Sequence, residues 1–147
     1  MTMDRNISID IEIKLVKSWP ANEIVELYKA GGWWLEHYSQ AGILPLIKGS
    51  FAFAVAIDLQ SGKAIGMGRV ISDGVSDGYI QDVVVLKDWR GQGLGIGIVK
   101  TLLEYCLKKK LQWIGLVAEP DTKSFYEPLG FKVLPGEPMV YRQTVQD

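Results

Sequence analysis

The run Arg90-Gly91-Gln92-Gly93-Leu94-Gly95-Ile96-Gly97 constrains this chain more than any other stretch. Four glycines at alternate positions make a poor strand or helix interior, because glycine loses more backbone freedom on ordering than any other residue. The segment before it, Tyr79 to Leu86, is dense in β-branched side chains around Val83-Val84-Val85 and reads as a central strand ending near Lys87. After it, Ile98, Val99, Leu102, Leu103 and Cys106 recur at helical spacing, with Lys100, Glu104 and Lys108 on other faces. Glycines between a buried strand and an amphipathic helix let the backbone turn sharply and point several N–H groups into one concavity. The first-turn amides of the helix and the positive end of its dipole extend that concavity, which suits an anion. Arg90 adds a charge at the rim. The plainer alternative is a glycine turn that only lets strand and helix pack closely.

Two other phosphate loops fail at a defining position. A Walker loop closes on Gly-Lys-Ser/Thr, whereas Gly97 is followed by Ile98. A dinucleotide fingerprint beginning at Gly91 or Gly93 needs glycine at Ile96 or Ile98.

The remaining pattern gives an ordered series of elements. Ile7, Ile9, Ile11, Ile13 and Leu15 alternate with polar residues, as in a half-buried strand. Ser18 offers an N-cap, Pro20 a first turn, and Ile24, Val25, Leu27 and Tyr28 a helical stripe that stops at Gly31-Gly32. Trp33 to Tyr38 reads as a short helix and loop, with Gly42 and Pro45 as punctuation. Phe51–Leu59 and Ala64–Ser72 flank Gln60-Ser61-Gly62-Lys63 as a hairpin. Trp113–Ala118 is a fifth strand, Asp121–Leu129 a short helix ended by Gly130, and Phe131–Leu134 with Met139–Arg142 a final strand pair. An early hairpin and a late pair around strand-helix units imply a mixed α/β layer, an α+β arrangement, in one domain over residues 1–147.

Composition excludes several functions. Sixteen basic and seventeen acidic residues leave a net charge of -1, which gives no broad attraction to nucleic acid or anionic membrane. Lys108-Lys109-Lys110 ends a helix, where cations complement the dipole. No apolar run approaches the roughly 20 residues of a membrane span, and no signal-like start precedes the first strand. The lone Cys106 has no intrachain disulfide partner and reads as core, so a cytoplasmic location is expected. No His, Cys and carboxylate cluster has metal-ligand spacing, so no metal is expected.

Arg90, Gly93 and Gly95 match the loop Arg/Gln-x-x-Gly-x-Gly/Ala, and downstream Ser124-Phe125-Tyr126-Glu127-Pro128-Leu129-Gly130-Phe131 matches a segment of the type FYxxLGF. With Val83-Val84-Val85 before them, these motifs make Ile80 to Phe131 resemble the GCN5-related N-acetyltransferase (GNAT) superfamily. Within it, the chain looks closest to small-amine acetyltransferases such as the plant and cyanobacterial arylalkylamine and the glucosamine-phosphate enzymes. The resemblance implies a central mixed, mostly antiparallel sheet of six to seven strands flanked by helices. It implies acetyl-CoA as co-substrate, its pyrophosphate on Arg90, Gly91, Gln92, Gly93, Leu94, Gly95 and Ile96, its pantetheine arm along Val83, Val84 and Val85, and a further contact at Phe125. Histone-type members carry a glutamate base where this chain has Tyr79, which counts against a histone-lysine mechanism.

Acyl transfer to a primary amine by direct attack in a ternary complex sets three tasks. The amine, with a pKa of about 10.4, must lose a proton. Asp82, through its carboxylate and water or through its backbone carbonyl, is the candidate base, or else a paired carboxylate at the sheet surface; Glu119 is the alternative. The oxyanion suits unpaired N–H groups of Val83 to Val85. The thiolate, near pKa 8.5, can be protonated by a tyrosine near 10 at an equilibrium cost of about 2 kcal/mol, and the motif nominates Tyr126. Trp33, Trp34 and Tyr38 are candidate walls for a small-molecule amine acceptor, or else plain core. His37, the sole histidine, reads as a packing residue. A homodimer is compatible with this reading, dimers being the commonest oligomers. The competing functions are a non-catalytic acyl-CoA-binding or regulatory module on the same fold and transfer to a protein or peptide amine.

Overall fold

The computed structural model of the chain describes residues 10–143. They divide into two compact units, one ending at Leu116 and the other beginning at Val117. The first holds a five-stranded sheet in the order β1 to β5: Ile11–Leu15, Ala52–Asp58, Lys63–Ile71, Asp77–Val85 and Trp113–Leu116. Neighbours pair antiparallel as far as β4, and β4 pairs with β5 in parallel. This is the mixed, mostly antiparallel α+β sheet expected, with five strands rather than six to seven. In β1, Ile11, Ile13 and Leu15 are half-buried while Glu12 and Lys14 are exposed, as alternation demands; Ile7 and Ile9 lie outside the described residues.

The middle of the sheet is buried on both faces, but the faces differ in height. Along β2, Phe53, Val55 and Ile57 join one core with Ile24, Leu27, Ile43, Ile47 and Met67. Ile24 and Leu27 come from helix α1, Ala21–Ala30, and Ile43 and Ile47 from helix α2, Ile43–Gly49. The alternate residues Ala54 and Ala56 stand opposite Gly68 and Gly66 of β3, which makes a floor of almost no side-chain height. Helix α3, Leu94–Lys108, rests on that floor through the fully buried Ile98 and Leu102. A Cβ at Gly68 would lie 2.8 Å from Ile98 Cγ2, 3.1 Å from Val83 Cγ2 and 3.2 Å from Leu102 Cδ1. From the helix side, a Cβ at Gly97 would lie 2.7 Å from Ile13 Cδ1. Cys106, also on α3, is fully buried, and burial pushes its thiol pKa up.

Two starts differ from the sequence reading. Pro20, not Ser18, is the N-cap of α1, and no side chain caps it. Glu23 instead accepts from Trp19 Nε1 at 2.8 Å and from the Ala64 backbone at 2.9 Å, tying the first turn to β3. Pro45 sits inside α2, not in a loop. It lies in the first turn, where its missing N–H would have had no helical partner anyway.

In the second unit, helix α4 spans Lys123–Tyr126 and continues as a 3-10 turn, Glu127–Leu129, that ends at Gly130 with φ +101°. The strand pair expected at Phe131–Leu134 and Met139–Arg142 does not form. Pro135 and Pro138 remove two backbone donors from the connection, and Gly136 takes φ +132°. Val133, Leu134, Met139, Val140 and Tyr141 are exposed.

Replacing Gly68 with alanine should cost about 1–3 kcal/mol of stability, the usual penalty for overpacking. Urea unfolding would show it as a lower midpoint at unchanged slope.

Candidate active site

Strand β4 changes character halfway along. Its parallel pairing with β5 runs from Asp77 opposite Trp113 to Ile80 opposite Leu116, and there it stops. Among the described residues, β4 has no strand partner on that side from Gln81 onward. On the other side, the register with β3 slips between Arg69, opposite Gln81, and Met67, opposite Val84. Gly68 therefore faces two residues, Asp82 and Val83, in a β-bulge. Asp82 takes φ +63°, a left-handed conformation that costs an ordinary residue about 1–2 kcal/mol.

Two side chains hold Asp82 in place. Arg69 Nε donates to Asp82 Oδ2 at 2.8 Å, and Tyr28 Oη donates to the same oxygen at 2.7 Å. The ion pair is largely buried, at 16% and 12% side-chain exposure for Arg69 and Asp82. Burial first, and then the neighbouring carboxylate, raise the Tyr28 pKa far above the ordinary phenol range. The phenol stays neutral and donating at any moderate pH.

Tyr28 also leads into the aromatic cluster. Its ring lies 6.2 Å from Trp33 and 6.5 Å from Trp34, and Trp34 meets Tyr38 edge to face at 5.5 Å. Trp33 and Trp34 are half-buried against the core, while Tyr38 and His37 are exposed. The cluster thus combines core packing with an open aromatic surface beside the bulge strand's anchor.

Past Val85, a 3-10 turn at Lys87–Trp89 carries the chain to Arg90, whose Nε donates to the Val85 carbonyl at 2.8 Å. Gly91 and Gly93 both take φ +81°. A Cβ at either would meet nothing within 4 Å, so these glycines serve the turn and leave the space above it open. Gly93 caps α3 without any side-chain hydrogen bond, and the first helical bond runs from Gly97 N to Gly93 O at 3.0 Å. The amides of Leu94, Gly95 and Ile96 are thereby left without helical acceptors. Open space, orphan amides, the helix dipole and Arg90 form a cradle that fits a pyrophosphate. The structure thus brings Val83 to Val85 and Arg90 to Ile96 onto one continuous stretch of the first unit.

Phe125 and Tyr126 belong to the second unit. Tyr126 is half-buried, with Phe125 at 5.2 Å and Phe131 at 6.1 Å, both edge to face. Burial, and after it the charge of Glu119, raise the Tyr126 pKa above its ordinary value. Among the described residues, no three His, Cys, Asp or Glu side chains gather to hold a metal, and no helix is long and apolar enough to cross a membrane.

Arg69, Tyr28 and Gly68 meet at the bulge of β4, and pattern alone does not single them out. Tyr28 reads as one more member of a core stripe, and its contact with Asp82 spans 54 positions. The one local signal is Gly66-x-Gly68 inside a strand, since interior glycines mark bulges and close backbone approaches.

The family model for the acetyltransferase (GNAT) domain matches residues 49–133. The chain belongs to this family. It is 39% identical over 69 residues to the uncharacterized N-acetyltransferase ycf52 of Pyropia yezoensis, covering 47% of this chain and 40% of that protein. It is 36% identical over 73 residues to histone acetyltransferase TAP1 of Glycine max (50% and 32% covered), and 35% identical over 75 residues to the chloroplastic serotonin N-acetyltransferase 2 of Oryza sativa (51% and 38% covered). The matched segments thus span well under half the length of these relatives. A solved GNAT-family acetyltransferase from Streptococcus pneumoniae superposes with a TM-score of 0.73 at 27% identity, covering 91% of this chain and 98% of that one.

Replacing Gly93 with alanine should destabilise the protein by about 1–2 kcal/mol, and Gly93→Asn by less, because asparagine tolerates the left-handed region better. Calorimetry should show the melting temperature falling by a few degrees for alanine, with part of it recovered in the asparagine variant.

Proposed function

We propose that this protein transfers the acetyl group of acetyl-CoA to the primary amine of a small molecule. One observation carries the proposal: the edge of β4 that, among the described residues, has no strand partner after Ile80 leads through the turn at Lys87–Trp89 to the uncapped, glycine-led start of α3. A strand with one open edge, followed after a short turn by an anion cradle, suits a ligand with an extended amide-bearing arm and a pyrophosphate. Acetyl-CoA, when bound, supplies the activated thioester and a good leaving group. The chain supplies the rest. Orphan amides of residues 94–96 and Arg90 hold the pyrophosphate, and those N–H groups among residues 83–85 that point away from β3 offer donors to a carbonyl oxygen that gains charge. Tyr126, kept protonated by its raised pKa, serves as proton donor, and Glu119, which acts on that pKa, is the carboxylate assigned to the amine's proton.

A small acceptor is favoured by the open aromatic surface of Trp34 and Tyr38 and by the likeness to the rice protein named for serotonin. The likeness to the soybean protein named for histone makes a peptide amine the necessary control. Mass spectrometry of a panel of small amines and lysine peptides incubated with acetyl-CoA decides the matter. Acetylated small amines are expected. Acetylated peptides alone would reverse the acceptor class, and acyl-CoA binding without any product would make this a non-catalytic acyl-CoA-binding module.

Tyr126→Phe should lower kcat by about 10²–10⁴-fold with little change in the KM for acetyl-CoA. Deprotonating the donor abolishes its role, so turnover should fall as pH rises through the Tyr126 pKa, above the ordinary value of about 10. Glu119→Gln removes the assigned proton acceptor and should lower kcat, and because it also removes one cause of the upward shift it should move the basic limb of the remaining activity to lower pH. An unmoved limb would separate the two residues.

A further inference from the structure

Asp82 occupies a backbone conformation that glycine would adopt without strain, yet it brings a carboxylate to the centre of β4. That carboxylate ties three elements together. Its Oδ2 accepts from Arg69 of β3 and from Tyr28 of α1, at the one point where Gly68 faces two residues of β4. A carboxylate oxygen that accepts from both a guanidinium and a phenol has its lone pairs engaged by those two donors. The phenol of Tyr28 stays neutral and donating because burial and the carboxylate both resist its ionisation. The three groups are thus joined by two short hydrogen bonds at the bulge, which is the arrangement of a brace.

We propose that Asp82, Arg69 and Tyr28 are positioning residues for acyl transfer. They lock the bulge of β4 so that the amides among residues 83–85 on the edge away from β3 keep a fixed aim, and through Tyr28 they link that aim to Trp33 and Trp34. The proposal rests on the acetyl-transfer function assigned to the same strand. It gives Asp82 a role other than general base, and the two roles predict opposite results. If Asp82 took the proton, Arg69 would restrain it, and removing Arg69 would leave turnover unchanged or raise it. If Asp82 braces the bulge, removing Arg69 releases the brace.

The test combines steady-state kinetics with amide hydrogen exchange across Gln81–Val85, on the full chain carrying Tyr28→Phe, Arg69→Met, Asp82→Asn, Asp82→Ala or Asp82→Gly. Arg69→Met and Tyr28→Phe should each lower kcat about 10- to 100-fold, the scale of a small misplacement, with the KM for acetyl-CoA within about two-fold of wild type. Exchange across β4 should quicken while exchange in α3 holds. Asp82→Asn keeps an acceptor for Tyr28 and tolerates positive φ, so it should retain more activity than Asp82→Ala. Asp82→Gly relieves the backbone and loses the carboxylate, and it should remain slow although folded. Four results would overturn the proposal: an Arg69→Met enzyme as fast as wild type, an Asp82→Gly enzyme as fast as wild type, an Asp82→Asn enzyme as inactive as Asp82→Ala with β4 exchange unchanged, or losses that vanish when rates are scaled to the folded fraction measured by circular dichroism. Should the wild type acetylate no amine at all, acyl transfer falls, and exchange still judges the brace: faster exchange across β4 in the Tyr28, Arg69 and Asp82→Gly variants supports it, and unchanged exchange refutes it.

Discussion

The closeness of α3 to the sheet is the constraint on which the rest of the first unit depends. Ala54 paired with Gly68 and Ala56 paired with Gly66 give the helix a floor with almost no side chains, and Ile98 and Leu102 fill the space directly above it. Interiors pack like organic crystals, so a helix set this deep has little freedom to slide or roll. Its first turn is thereby held in line with the end of β4, and the orphan amides of residues 94–96 open at the place where the strand stops. The floor also places Gly68 opposite the bulge, with Val83 and Ile98 both within reach of its missing Cβ. One packing requirement thus fixes the anion cradle and borders the distorted strand beside it.

Much of this was legible in the residue pattern. Alternation in Ile11, Ile13 and Leu15, the hairpin around Gly62, the β-branched run to Val85 and the apolar stripe from Ile98 to Cys106 each name an element through a period that tertiary structure did not override. Helix α2 was less legible because Pro45 looks like punctuation until its place in the first turn is known. The last strand pair failed for a different reason. Val133, Leu134, Met139 and Val140 carry strand-like side chains, but all four are exposed, and a strand propensity that rests on packing against neighbours has nothing to act on there.

The site divides in the same way. The glycine run is legible locally, because the left-handed turns at Gly91 and Gly93 and the uncapped start of α3 follow from consecutive residues. The Arg69–Asp82–Tyr28 contacts join residues 13 and 54 positions apart and depend on a left-handed backbone at an aspartate. No local pattern encodes that combination. It emerges only when α1 and β3 both bring a donor to the bulge.

The burial of Cys106 has a practical consequence. The chain's only thiol is fully enclosed under α3, and its pKa is raised by that enclosure, so little thiolate forms at neutral pH and reagents have little access to it. Colorimetric disulfide reagents added to the native protein would meet an almost silent background, and the first sulfur to react would come from whatever the protein releases. The same silence makes Cys106 a reporter of unfolding, since labelling there requires α3 to lift from its glycine floor.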